Sequence, residues 1–198
     1  MRKLVYIIGM ILISFSYSIA QMQDQTGGSL QDLTEPEKKL EIKQKADGSL
    51  ERPTSHDEAM KYYKDKYYAE LEGVTFEDAW NAVVTSLTDQ GCELITKVQK
   101  TNDEGFLHGV FKSEFCVFVN DETTFDALRI YSKKMPVIRG GIWTNGRIQY
   151  TVILDEINEG EGVSVLVKGE LSGSEENVTN EVHFWESAGW FETDLLYR

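Results

Sequence analysis

From Arg147 to Leu154 the chain alternates: Ile148, Tyr150, Val152 and Leu154 are large and apolar, while Arg147, Gln149 and Thr151 between them are polar. Successive side chains of a strand point to opposite faces, so this pattern buries one face and leaves the other in water. An acidic turn, Asp155–Gly162, leads into Val163, Val165 and Val167, and a third run holds Val182 and Phe184. Alternating runs with short connections predict an antiparallel meander. Whatever else the chain builds has to cover one side of that sheet.

A cover is at hand upstream. Phe76, Trp80, Val83, Val84 and Leu87 follow one another at the spacing of a helix face. Thr75 and Asp78 match a capping box at its start, and Gly91 can end it in the left-handed conformation. Two extended runs follow, Cys92–Thr101 and Phe106–Phe118, and the polar link Asn102–Gly105 reads as a hairpin turn. Thr123 and Asp126 suggest a second capping box for a helix carrying Phe125, Leu128 and Tyr131, which Pro136 stops. Trp190, Phe191, Leu195 and Leu196 suit a short closing helix. The order predicts an α+β domain over 75–198, with an antiparallel sheet of about five strands.

The two cysteines, Cys92 and Cys116, allow one intramolecular pairing. If Asn102–Phe106 is a five-residue connection, Thr101 faces Leu107, and counting outward brings Cys92 opposite Cys116. We therefore expect a disulfide.

The N-terminus has the three-part layout of a secretory signal peptide: Arg2 and Lys3, an apolar run from Leu4 to Phe15, and small residues Ser18 and Ala20 before Gln21. The run is shorter than a bilayer span requires, and serines interrupt it. Cleavage after Ala20 predicts a secreted or periplasmic protein without stable membrane insertion. No cysteine near that point could carry a lipid. Residues 21–56 are too poor in large apolar side chains to offset the entropy of ordering and read as a disordered linker. In 57–74, Met60, Tyr63, Tyr67 and Leu71 recur at helical spacing, which predicts a surface helix or one that forms with a partner.

Acidic residues outnumber basic ones by 33 to 20, and losing Arg2 and Lys3 with residues 1–20 takes the formal net charge from −13 to −15. Such a chain is repelled by nucleic acid, whose binding depends on Lys and Arg neutralising phosphates. Catalytic signatures are missing. There are three histidines; His56 falls in the linker, and His108 and His183 stand alone in strand patterns without the spacing of metal ligands. Asp155, Glu156, Glu159 and Glu161 resemble a calcium loop only in charge, because Ile157 and Leu166 occupy ligand positions. No cofactor is expected. Asn177-Val178-Thr179 matches a glycosylation acceptor, which matters only in a eukaryotic exporter.

One cluster is distinctive. In a chain poor in arginine, Arg139 and Arg147 flank Gly140-Gly141 and Trp143, and Trp185 lies in the run that could sit beside them. Arginine and tryptophan are enriched at binding hot spots because they combine contact area with directed donors. Arg139, Trp143, Arg147 and Trp185 are the candidate binding residues. Their ordinary role would be tryptophans filling the core and arginines neutralising surplus carboxylates.

Three features of 75–198 carry a resemblance: the helix Phe76-x-x-x-Trp80-x-x-Val83, the hairpin led by Gly91 and containing Gly105, and the strand Arg147-x-x-Tyr150-x-Val152. In that order they are similar to the helix-grip modules of the outer-membrane lipoprotein called C in the β-barrel assembly machine. The resemblance implies a curved antiparallel sheet packed on a long helix, and a contact domain without catalytic residues. The chain differs in lacking a lipid-bearing cysteine and in the extra segment around Phe125–Met135. The leading expectation is a non-enzymatic interaction module of the bacterial envelope with an envelope protein as partner. A small-molecule or lipid binder using a groove between sheet and helix is the alternative, and an uncharacterised hydrolase comes third. An exposed arginine and aromatic patch over a filled core would favour the first, an open apolar groove the second, and converging titratable groups in a cleft the third.

Overall fold

The computed structural model describes residues 42–135, 142–176 and 181–198. In chain order the elements are α1 (His56–Met60), β1 (Tyr67–Glu72), α2 (Phe76–Asp89), β2 (Leu94–Thr101), β3 (Leu107–Ser113) and β4 (Cys116–Val119). There follow α3 (Thr124–Tyr131), β5 (Ile142–Ile157), β6 (Gly162–Glu176), β7 (Val182–Glu186) and α4 (Trp190–Tyr197). The domain is α+β, and its seven described strands form one antiparallel sheet.

The sheet is built on the β5–β6 hairpin, whose strands are 16 and 15 residues long. At one end β1 joins β6 and β3 joins β5, with β2 beyond, in the order β1-β6-β5-β3-β2; at the other end β7 pairs with β6 and β4 with β5. Two short gaps in the outer ladders separate the ends. On the β5 side, Ser113 fills the gap: its hydroxyl accepts from the Tyr150 N–H at 2.9 Å and its carbonyl from Gln149 Nε2 at 2.9 Å. On the β6 side the Gly169 N–H donates to the carboxylate of Glu192. Buried backbone donors need partners, and here two side chains substitute for missing strands.

The predicted alternation sets the faces. Ile148, Tyr150, Val152 and Leu154 are each at most 2% exposed, and Phe111, Val163, Val165, Val167 and Leu171 share their face through the register. All three longer helices lie on it. Each sits over a glycine whose missing Cβ makes room: Gly109 beneath Trp80 of α2, Gly173 beneath Leu128 of α3 and Gly169 beneath Glu192 of α4.

Several expectations hold locally. Thr75 caps α2, accepting from the Asp78 N–H at 3.1 Å, and Gly91 ends it at φ +71°. The Gly91 and Cys92 N–H groups close on the Thr88 and Leu87 carbonyls. Thr101 does face Leu107. Cys92 and Cys116 are disulfide-bonded with Cα atoms 5.1 Å apart. The register slips between Leu94 and Thr96, however, and Cys116 opens β4 opposite Ile148 of β5. The bridge therefore ties the end of α2 to the covered face of the sheet.

Others are corrected. Seven strands replace about five, because the run Phe106–Phe118 breaks into β3 and β4, and because β1 falls where a helix was expected. A spacing of four residues fits a strand as well as a helix. Tyr67 and Leu71, with Ala69 between them, lie opposite Val167, Val163 and Val165. The covering helix α2 has 14 residues. At α3 the threonine cap fails, and Asp121 instead accepts from the Thr123 N–H at 2.7 Å. Within the described part of the expected linker, Ser49, Leu50 and Pro53 are buried. Leu50 is 1% exposed, its N–H donates to Asp194 at 2.6 Å, and Trp190 Nε1 donates to the Glu51 carbonyl at 3.0 Å. Residues 1–41, holding the expected signal peptide and most of that linker, lie outside the described residues.

Candidate contact surface

The four candidate binding residues do not form one cluster. Trp143 and Trp185 are core: they are 8% and 6% exposed, with ring centroids 5.5 Å apart. Trp143 has odd parity, like Arg147, and plain alternation would put the two on one face. A bulge between Trp143 and Asn145 reverses the parity, so Trp143 reaches the covered face over Gly173. Arg147 stays on the opposite face. Arg139, Gly140-Gly141 and the Asn177-Val178-Thr179 acceptor lie outside the described residues.

The face that Arg147 occupies carries none of the three longer helices. At the β4–β7 end, a row of directly opposed residues crosses four strands: Phe184, Ser172, Arg147 and Val117. Phe184 is 54% exposed and Val117 51%. The ring of Phe115 reaches over to lie 5.8 Å from that of Phe184. Among the described residues Arg147 has no ion-pair partner, and its buried Nε has no hydrogen-bond partner. The other described arginines are engaged: Arg198 with Asp194 at 2.9 Å, and Arg52 and Arg129 over the rings of Trp190 and Phe125. Thus an unneutralised guanidinium sits among exposed apolar side chains in a chain with a surplus of carboxylates.

Among the described residues the buried carboxylates, Glu175, Glu192 and Asp194, are on the helix side. Glu175, 2% exposed, lies opposite Trp143, and its Oε2 is 3.4 Å from His183 Nε2. The Trp143 ring centroid is 5.5 Å from that of His183. Glu192 accepts from the Ser187 hydroxyl at 2.7 Å. Burial raises its carboxyl to about 7, against the opposing pull of hydrogen bonds from Ser187, its own N–H and Gly169. A cleft of about 540 Å³ opens beside it where β1 begins and β7 ends, lined by Tyr63, Lys66, Tyr67, Lys168 and Glu186 among others. Burial pushes the Tyr67 hydroxyl up to about 12. The sequence signalled neither carboxylate, because the role of each comes from a register and a helix seat that composition does not encode.

The remaining histidines are held by local partners: His108 Nδ1 is 2.6 Å from Asp155, and His56 Nε2 is 3.1 Å from the Ser132 carbonyl. Among the described residues no group of three His, Cys, Asp or Glu is placed to hold a metal ion, and no helix is long and apolar enough to cross a membrane. The chain matches no protein-family model, no curated protein and no solved structure.

Proposed function

We propose that the chain is an exported, non-enzymatic interaction domain of the bacterial envelope, and that it holds an envelope protein through the Arg147 end of the uncovered sheet face. One observation carries this reading: Arg147 lacks a carboxylate partner among the described residues and is framed by Phe184, Val117 and Phe115. A guanidinium offers a planar fork of donors, which a carboxylate accepts side-on. Exposed aromatics around such a group exclude water from the contact and strengthen it. The partner that fits is an extended segment carrying a carboxylate between apolar side chains. The signal-like N-terminus, the disulfide and the resemblance to an assembly-machine module support an extracytoplasmic setting.

The test is cross-linking in the native envelope followed by capture. Arg147→Glu, which reverses the charge, is expected to abolish capture of the protein that the wild type brings down, and Arg147→Lys to weaken it. Capture unaffected by Arg147→Glu together with Phe184→Ala overturns the reading. The cleft beside Glu192 favours a second reading, a small-molecule binder. A small molecule retained by the native protein in mass spectrometry, and lost from Lys66→Glu, would support it.

A further inference from the structure

We infer that a second copy of this chain packs against the other half of the uncovered face. There the register sets Tyr68, Leu166, Ile153, Val110 and Val98 directly opposite one another, one from each of β1, β6, β5, β3 and β2. The row crosses the whole five-stranded end of the sheet. Its ends remain open, with Tyr68 40% and Val98 38% exposed. The helices that seat on Gly109, Gly169 and Gly173 all take the other side.

The flanking rows identify the occupant. Toward β4 and β7 lie Lys168, Thr151, Lys112 and Thr96, and on the far side lie Glu70, Ser164, Asp155, His108 and Lys100. Two copies can meet face to face about a two-fold axis. An axis along the strands would set lysine over lysine. An axis along the apolar row sets each apolar residue over its own counterpart and exchanges the flanks. Lys168 of one copy then lies over Ser164 of the other, one strand spacing from both Glu70 and Asp155. Lys112 lies over His108, whose imidazole is already 2.6 Å from Asp155. Lys100, the one cation on the acidic side, meets the neutral Thr96. Sheets stacked face to face lie about 10 Å apart, within reach of these side chains. Two chains with a formal charge of −13 each repel at long range, so self-association has to be local and complementary. This surface is both.

The test is the mass of the purified full-length exported protein by sedimentation and light scattering across a range of concentrations. The wild type is expected to run as two copies. Ile153→Glu is expected to give one copy, and so is Lys112→Glu with Lys168→Glu. Adding Glu70→Lys and Asp155→Lys to the lysine pair exchanges the two flanks and is expected to restore two copies. These four charges are exposed, so their variants keep the test open even if Ile153→Glu does not fold. A wild type that stays a single copy at every concentration overturns the inference, as does a four-fold variant that fails to recover. Envelope capture through Arg147, run on the same variants, separates this inference from the proposed function. Loss of the dimer with capture intact leaves that function standing, and loss of capture with the dimer intact does the reverse.

Discussion

The two faces of this sheet are made from alternate residues of the same strands, yet they differ in how tightly they are specified. On the covered face each helix is fitted to a particular vacancy: a Cβ on Gly109 would lie 2.8 Å from the Trp80 ring, and one on Gly173 would lie 2.7 Å from Leu128 and 2.9 Å from Trp143. On the uncovered face the large side chains are half-buried or exposed, with only the small Ser164 and Ser172 buried between them, and their order is one of charge and polarity in rows. The comparison teaches where a substitution reads out stability and where it reads out association. Arg147 and Trp143 are four positions apart and fall on opposite sides of that division.

The sharpest way to break the division is Trp143→Ala. Deleting a buried large aromatic costs about 3–5 kcal/mol, so chemical denaturation should show a loss of that size. A change under about 1 kcal/mol would mean that Trp143 belongs with Arg147 after all. Next in size is the bridge that fastens α2 to the covered face. Its cysteines are 24 residues apart in sequence, and opening it should cost about 3.5 kcal/mol in the chain-entropy model. Comparing unfolding with and without reductant measures this.

Glu192 tests the covered face by pH. Its folded-state carboxyl, raised to about 7 from an ordinary 4.5, binds a proton more tightly than in the unfolded chain. That contribution to stability is complete below about pH 4.5 and is lost as pH rises through about 7, on the order of 3 kcal/mol in all. Glu192→Gln should flatten this part of the stability profile between pH 4.5 and 8. An unchanged slope would show that the group titrates normally. The smallest effect is expected across the sheet, where Arg147→Ala should shift stability by no more than about 0.5 kcal/mol while weakening partner capture. A large loss there would make Arg147 a structural residue and erase the contrast.

Much of the covered face could be read from residue spacing. The α2 stripe, the Gly91 stop, the Asn102–Gly105 turn and the alternation of β5 each follow from local rules that the tertiary structure does not override. The cysteine pairing follows from counting along a hairpin that the fold interrupts, and it holds because the chain returns to the same neighbourhood in β4. What escaped was set by contacts between distant segments. β1 was hidden because Tyr67 and Leu71 satisfy two periodicities at once. The packing of residues near Leu50 was hidden because it depends on backbone groups: the Leu50 N–H, the Glu51 carbonyl and the Pro53 carbonyl meet Asp194, Trp190 and Tyr131. Composition records side chains and is blind to such bonds. Arg147 stands out through scarcity alone, and of the two roles open to Trp143 the core role is set by a single bulge that the spacing does not reveal.

The docking of Leu50 on α4 also fixes an orientation. Because α4 lies over Gly169 on the covered face, the polypeptide entering at Ile42 reaches the domain from its helical back. The first described residues therefore lie on the helix side of the sheet, opposite the Arg147 row and the apolar row. The helices and the entering backbone thus crowd one side of the sheet, and both rows of the proposed contacts keep the other to themselves.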